Sequence, residues 1–123
     1  MGKFILKKTN TGFNFHLLAS NGEPIATSEV YKAKPSCENG IKSVRVNAPI
    51  ANVEDQTVEG YAKCLNPKFE IYVSKNGEYR FRLRARNGQI IASSEGYKSL
   101  ASCKNGVESV KKNAPDSPIV IQE

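Results

Sequence analysis

Residues 87–115 read NGQIIASSEGYKSLASCKNGVESVKKNAP, and residues 21–49 read NGEPIATSEVYKAKPSCENGIKSVRVNAP. Both stretches belong to a longer internal repeat, because residues 13–49 align with residues 79–115 at an offset of 66 and are identical at 20 of 37 positions. A unit of about 50 residues without disulfides or metal is marginally stable by itself. The repeat therefore predicts one domain in which two similar units share a single core.

The start of the second copy predicts a β-hairpin. Apolar and polar residues alternate in residues 69–73 and 79–85, as they do in strands with one buried face. A three-residue loop, Lys75-Asn76-Gly77, places Phe69 opposite Leu83 and keeps the apolar faces together, whereas a two-residue loop would oppose an apolar face to arginines. The first copy is one residue shorter here and keeps the same register with a two-residue loop. A third strand follows each hairpin.

The second half of each copy predicts a helix. The apolar positions recur at helical spacing, and they are Cys37, Ile41, Val44 and Ala48 in one copy and Cys103, Val107, Val110 and Ala114 in the other. Pro49 and Pro115 end these helices. A short apolar segment then predicts a fourth strand, at residues 50–53 and 118–121.

The fold class predicted is α+β, with two tandem β-β-β-α-β repeats that share one antiparallel sheet and pack two helices on one face. The whole chain, 1–123, forms a single domain. Repeat one spans residues 3–53, a connector spans 54–67, and repeat two spans 68–121.

Composition limits the class of protein. The net charge is +6, and residues 68–115 carry 10 basic and 4 acidic side chains. This excess permits an anionic partner, and it equally permits no role beyond solubility. Three cysteines argue against a disulfide framework. The first residues lack the apolar stretch of a signal peptide, and no window is long enough to span a membrane. We therefore expect a cytoplasmic protein with no membrane partner.

The segments 87–88, 91–98 and 102–114 carry a resemblance to the YegP-like family of small bacterial proteins of unknown function. The resemblance covers both repeats, about 95 of the 123 residues. The first copy departs from the pattern at Val30, where the second has Gly96, and in its shorter hairpin. The resemblance implies one antiparallel sheet shared by two units that exchange their C-terminal strands. It implies no activity and no catalytic residues.

One strand face of the second copy is rich in arginine. The residues are Arg80, Arg82, Arg84 and Arg86, and the first copy has Asn14, His16, Leu18 and Ser20 at these positions. Tyr72 lies opposite Arg80 in the predicted register, and Glu70 lies opposite Arg82. Guanidinium groups contact phosphates and a tyrosine ring stacks on bases, so this face is a candidate anion- or nucleic-acid-binding surface. The alternative is a solvated face that protects against aggregation, with Glu70 pairing weakly with the arginines.

A second candidate site is duplicated. It consists of Glu29, Tyr31 and Lys32 in the first copy and Glu95, Tyr97 and Lys98 in the second. These polar groups could line two symmetric ligand sites. The alternative is that the fold itself requires them, as strand-end turns, caps or tyrosine hydroxyls with a fixed partner.

The remaining reactive side chains give no sign of a cofactor or metal. Cys37 and Cys103 lie on the apolar stripes of the helices and are expected to be buried, whereas Cys64 lies in the connector and is expected to be more exposed. His16 is the single histidine and has no identifiable nucleophile beside it. We expect no metal, no cofactor and no catalytic residues.

The sequence predicts a non-enzymatic, monomeric binding or interaction module whose basic sheet face in repeat two meets an anionic partner such as nucleic acid. Two alternatives remain. One is a protein–protein adaptor that uses an exposed sheet edge. The other is a small enzyme that uses the duplicated glutamates and tyrosines.

Overall fold

A computed structural model describes residues 2–122, so Met1 and Glu123 of the predicted 1–123 domain lie outside the described residues. The first unit contains the strands β1 (Lys3–Lys8), β2 (Phe13–Leu18) and β3 (Pro24–Thr27), the helix α1 (Lys34–Asn47), a short 3₁₀ helix (Ala48–Ile50) and the strand β4 (Asn52–Asp55). The second unit contains β5 (Lys68–Val73), β6 (Tyr79–Arg84), β7 (Ile90–Ser93), the helix α2 (Leu100–Asn113) and β8 (Ile119–Gln122). The last two residues of β4, Glu54 and Asp55, are therefore the first two residues of the expected connector.

The two hairpins have the register that the alternation of residues predicts. In the second unit Phe69 lies opposite Leu83, and Gly77 closes the three-residue loop with a φ of 85°. In the first unit Phe4 lies opposite Leu17. Glycine is suited to the loop because it adopts this left-handed conformation without a steric penalty.

The eight strands form one sheet in the order β4-β5-β6-β7-β3-β2-β1-β8. The α+β class, the shared sheet and the two repeats are confirmed. The sheet is mixed rather than wholly antiparallel as expected, because β4 pairs with β5 and β8 pairs with β1 in parallel. A strand that follows a helix can enter a sheet in either direction, whereas a tight hairpin forces antiparallel pairing. Periodicity alone therefore left these two pairings undetermined.

Each unit gives its last strand to the other, as the family resemblance implies. Strand β4 of the first unit lies beside β5 of the second, and β8 of the second lies beside β1 of the first. In the centre, β3 meets β7 through Thr27 and Ser93. Neither unit contains a complete sheet of its own.

The two helices cover one face of the sheet, as predicted. The side chains buried between the helices and the sheet include Phe4, Phe15, Phe69, Phe81, Leu6, Leu17, Ile41, Ile71, Leu83, Val44, Val107 and Val110. Each helix also packs on the third strand of the opposite unit, α1 on β7 and α2 on β3. The core is therefore continuous across both repeats.

Candidate anion-binding cleft

Residues 56–67, here called the covering loop, lie over part of the sheet face that the helices leave open. Under the loop, Glu54 of β4 lies beside Glu70 of β5, and Glu70 lies opposite Arg82 of β6. Because side chains alternate between faces along a strand, Lys68, Glu70, Arg82 and Arg84 share this face. The strand exchange thus brings a carboxylate from the first unit into a charged cluster of the second.

Glu54 is 2% exposed and is held from three directions. Its Oε1 accepts hydrogen bonds from Nζ of Lys68, at 2.8 Å, and from the backbone N–H of Cys64, at 2.7 Å. Its Oε2 accepts a hydrogen bond from Nε2 of Gln56, at 2.7 Å. Two of these donors belong to the covering loop, so Glu54 ties the loop to the sheet.

Glu70 is 5% exposed and forms the centre of the cluster. Its Oε1 accepts hydrogen bonds from Nε of Arg82, at 2.6 Å, and from Nε of Arg84, at 2.7 Å. Its Oε2 lies 3.2 Å from Nε2 of Gln56 and 3.5 Å from Nζ of Lys68. Gln56 therefore bridges the two carboxylates.

Both carboxylates are held in the ionised form. Burial raises the pKa of Glu54, but the hydrogen bonds from Lys68, Gln56 and the Cys64 amide outweigh burial and lower this pKa to about 2. Burial likewise raises the pKa of Glu70, and the bonds from Arg82 and Arg84 outweigh it, so the pKa is lowered. The hydrogen bond to Glu54 raises the pKa of Lys68. These shifts keep Glu54, Glu70 and Lys68 charged at neutral pH.

A cleft of about 490 Å³ lies between the covering loop and this face. Its walls are Glu54, Gln56, Tyr61, Lys63, Asn66, Lys68, Glu70, Arg82, Arg84 and Gly88. Four of these side chains are basic and two are acidic, which leaves an excess of two positive charges.

Several hydrogen-bond donors in the cleft are unused. Arg82 bonds to Glu70 through Nε alone, and its two terminal nitrogens have no hydrogen-bond partner within residues 2–122. Arg84 uses Nε on Glu70 and one terminal nitrogen on the carbonyl of Gly88, at 2.8 Å. The Lys63 ammonium and the Tyr61 hydroxyl likewise contact no partner in the part of the chain that the structure describes. Each carboxylate already accepts hydrogen bonds from three donors, whereas the cations keep unused donors, so the arrangement favours an acceptor-rich, anionic ligand.

The other unit shows that the fold does not need this cluster. The pairing of β8, β1 and β2 places Val120, Ile5 and His16 where the second unit has Glu54, Glu70 and Arg82. The first unit thus has two apolar residues and one histidine at these three positions. Burial lowers the pKa of His16, whose Nδ1 lies 3.0 Å from the Thr27 hydroxyl.

The structure divides the predicted row of arginines. Arg82 and Arg84 line the cleft, whereas Arg80 bonds to the carbonyl of Ser94 at 3.3 Å, and Arg86 is exposed beyond the end of β6. Tyr72 lies outside the cleft walls, and the Arg82 guanidinium sits 4.5 Å above the centre of its ring. One face of the proposed stacking ring is therefore already occupied.

The duplicated residues have local structural surroundings. Glu29, Lys32, Glu95 and Lys98 are exposed. Tyr31 and Tyr97 are half-buried, with their hydroxyls against the helix glycines Gly40 and Gly106. Burial, and secondarily the charge of Glu29, raises the pKa of Tyr31. Packing against the helix glycines therefore accounts for the duplication of the two tyrosines.

Cys37 and Cys103 are buried in the helices, and burial raises the pKa of each thiol to about 11. Cys64 is half-buried in the covering loop. Within residues 2–122, His, Cys, Asp and Glu form no group of three or more arranged to hold a metal ion. No helix in the described part of the chain is both long and apolar enough to cross a membrane.

Reasoning from the sequence missed the main wall residues of the cleft, namely Glu54, Gln56, Tyr61, Lys63 and Lys68. One signal was present. In the fourth strand the first repeat has Glu54 where the second has Val120, an asymmetry that parallels the one between Arg82 and His16. The sequence does not show that these two differences belong together, because it is the pairing of β4 with β5 that places Glu54 and Arg82 in one cluster.

Comparison with known proteins finds one family pattern in the chain twice. The family described as "Domain of unknown function (DUF1508)" matches residues 9–55 and 74–120. The chain is 41% identical over 116 residues to UPF0339 protein PA0329 of Pseudomonas aeruginosa, covering 94% of this chain and 92% of that one. It is 37% identical to UPF0339 protein YegP of Escherichia coli O157:H7, covering 92% and 89%. The solution NMR structure of YegP from E. coli, a protein of unknown function, superposes with a TM-score of 0.80 at 37% identity, over 98% of this chain and 92% of that one.

Proposed function

Since the chain belongs to the DUF1508 family, whose matched relatives are of unknown function, we propose that it is a non-enzymatic binding module that holds an anionic partner in the cleft under the covering loop. The single observation that carries this proposal is the set of unused donors on Arg82, Arg84 and Lys63, in a cleft whose two carboxylates each accept three hydrogen bonds from the protein.

The carboxylates support the binding role by fixing the arginines. Nε of Arg82 and Nε of Arg84 both bond to Oε1 of Glu70, which orients the two guanidinium planes before any ligand arrives. Arginine held in this way loses less side-chain entropy when its remaining nitrogens bind an anion. The sheet face is thus organised for binding at the cost of part of its positive charge.

The same bonds argue against catalysis by these carboxylates. A general base must be free to accept a proton from its substrate, and at pH 7 its pKa lies near neutrality in an efficient enzyme. Both Glu54 and Glu70 have lowered pKa values and accept several hydrogen bonds each. Glu29 and Glu95 are exposed, so they give no support to an enzymatic alternative.

The first experiment is a binding titration with anions of different size, using inorganic phosphate, citrate and short single-stranded RNA and DNA. The measurement is made at about 50 and 200 mM salt, because phosphate contacts weaken steeply over that range. We expect binding that Arg82→Lys weakens and that Arg86→Lys leaves unchanged, since Arg82 lines the cleft and Arg86 does not. Absence of binding by all four anions at the lower salt concentration would overturn the proposal.

A sheet-edge adaptor is supported by a different observation. Strand β8 pairs with β1 on one side, and Val120 and Ile121 on it are 39% and 47% exposed. An exposed edge strand offers unpaired backbone groups to a partner strand, and a charged residue on the edge opposes that pairing. In a pulldown we expect such a partner complex to be insensitive to salt, to be lost in Val120→Lys and to be unaffected by Arg82→Lys. Loss of the complex in Arg82→Lys but not in Val120→Lys would exclude the edge.

A further inference from the structure

We propose, building on the anion-binding function above, that the cleft selects the dianionic phosphoryl group of a small molecule over the phosphodiester backbone of nucleic acid. Three features of the cleft carry this inference: its charge balance, its free donors and its volume.

The charge balance fits a doubly charged group. The cleft has an excess of two positive charges, and a phosphate monoester carries between about one and a half and two negative charges at pH 7. A phosphodiester in a nucleic-acid backbone carries one charge per residue and spreads its charges along a chain. One monoester therefore neutralises the cleft, whereas one phosphodiester leaves it positive.

The free donors fit a compact group with several acceptor oxygens. A phosphoryl group presents three such oxygens. The two terminal nitrogens of Arg82, one terminal nitrogen of Arg84 and the Lys63 ammonium have no hydrogen-bond partner within the described chain. Guanidinium groups bind phosphate with two parallel hydrogen bonds, which adds geometric selectivity to the attraction between charges.

The volume of the cleft suits a small ligand. The cleft volume of about 490 Å³ lies in the range of pockets for small molecules. Proteins that bind single strands without sequence preference instead use open grooves lined with free aromatic rings. Here Arg80 is bonded to Ser94, Arg86 lies outside the cleft, and the Tyr72 ring is covered on one face by Arg82. The surface therefore lacks a continuous track for a polymer.

The test is an NMR titration of the ¹⁵N-labelled protein at pH 7.5 and about 50 mM salt. Three probes are compared: phenyl phosphate as a dianion, benzenesulfonate as a monoanion of similar shape, and a 12-nucleotide thymidine oligomer without terminal phosphates. The Nε–H signals of Arg82 and Arg84 report directly on the cleft. We expect phenyl phosphate to shift these signals and to bind about tenfold or more tightly than benzenesulfonate, because both present three terminal oxygens but phenyl phosphate carries about one more negative charge.

Two variants locate the site. Lys63→Gln removes an exposed cation that supports no other residue in the described chain, and we expect phenyl phosphate to bind about three- to tenfold more weakly. Arg82→Lys keeps the charge and removes the guanidinium fork, with a similar loss. The matched control is Lys75→Gln, which removes an exposed lysine from the β5–β6 turn, outside the cleft, and should leave the affinity unchanged.

The outcomes distinguish a failure of the phosphoryl inference from a failure of the broader anion-binding proposal. If the oligomer binds and phenyl phosphate does not, the phosphoryl inference is wrong while the anion-binding function stands. Equal affinities for phenyl phosphate and benzenesulfonate would also overturn the selectivity for a dianion. If Lys63→Gln and Arg82→Lys both bind phenyl phosphate as well as the wild type does, the site lies elsewhere. If none of the probes binds, both proposals fail.

Discussion

At the scale of single residues, the two glycines inside the helices set how closely a helix approaches its own unit. A Cβ on Gly40 would lie 2.6 Å from the hydroxyl of Tyr31 and 3.1 Å from Cε2 of Phe15. Gly106 has the same relation to Tyr97 and Phe81. Glycine inside a helix costs about 1 kcal/mol relative to alanine, and the close contact with a tyrosine explains why each helix has one.

Gly40→Ala is expected to destabilise the protein by about 1–3 kcal/mol, because the added methyl group overpacks the contact with Tyr31 and Phe15. Helix propensity alone predicts the opposite sign. The measurement is the urea unfolding midpoint followed by far-UV circular dichroism.

The matched control is Asn39→Ala, at the neighbouring exposed position of the same helix, which should not destabilise. Adding Tyr31→Phe to Gly40→Ala should recover part of the loss, because the hydroxyl is the atom nearest to the new methyl group. A stabilising effect of Gly40→Ala would show that the tyrosine moves aside without cost.

At the scale of secondary-structure elements, the hairpins and helices follow from local patterns, whereas the covering loop does not. The loop is attached to the preceding strand, β4, through two side-chain contacts. Glu54 accepts a hydrogen bond from the Cys64 amide, and the side-chain amide of Asn52 donates to the carbonyl of Leu65 at 2.9 Å. Both anchoring residues belong to β4. The loop conformation therefore depends on where β4 enters the sheet.

Glu54→Gln is expected to lower the free energy of unfolding at pH 7 by about 2–3 kcal/mol, because it removes a buried charge that pairs with Lys68. The pKa of Glu54 is about 2 in the folded protein and 4.5 in a model peptide. A carboxyl with a lowered pKa contributes its stability above the unfolded value and loses that contribution as the pH falls towards the folded value. The difference between variant and wild type should therefore shrink between about pH 4.5 and pH 2.

Urea unfolding of both proteins at several pH values checks this expectation. Glu59→Gln is the control, since Glu59 is an exposed residue of the same loop. A stability difference between Glu54→Gln and wild type that stays constant down to pH 2 would contradict the assignment of the ionised state to Glu54.

At the scale of the whole molecule, the exchange of β4 and β8 makes the two repeats depend on each other. Lys111 of α2 donates to the carbonyl of Ala51 at 2.8 Å, and Arg45 of α1 donates to the carbonyl of Ser117 at 2.5 Å. Each helix thus holds the segment that leads into the other unit's exchanged strand. A single cooperative unfolding transition follows from this arrangement.

A chain cut once in the covering loop should stay assembled. A protease site inserted between Glu59 and Gly60, both exposed, leaves β4 on one fragment and its partner β5 on the other. We expect the two fragments to co-elute in size-exclusion chromatography and to separate only in denaturant. Separation in native buffer would show that the two units hold together through the covalent link alone.

The sequence by itself determined the duplicated unit, the hairpin registers and the buried stripe of each helix. These features depend on residues close together in the chain, so alternation, helical spacing and turn residues specify them. The tertiary structure decided the parallel pairing of β4 with β5 and of β8 with β1. It also decided that Glu54 meets Glu70 under the covering loop. Such contacts join distant segments through packing and charge, and no local period encodes which strand a returning chain will meet.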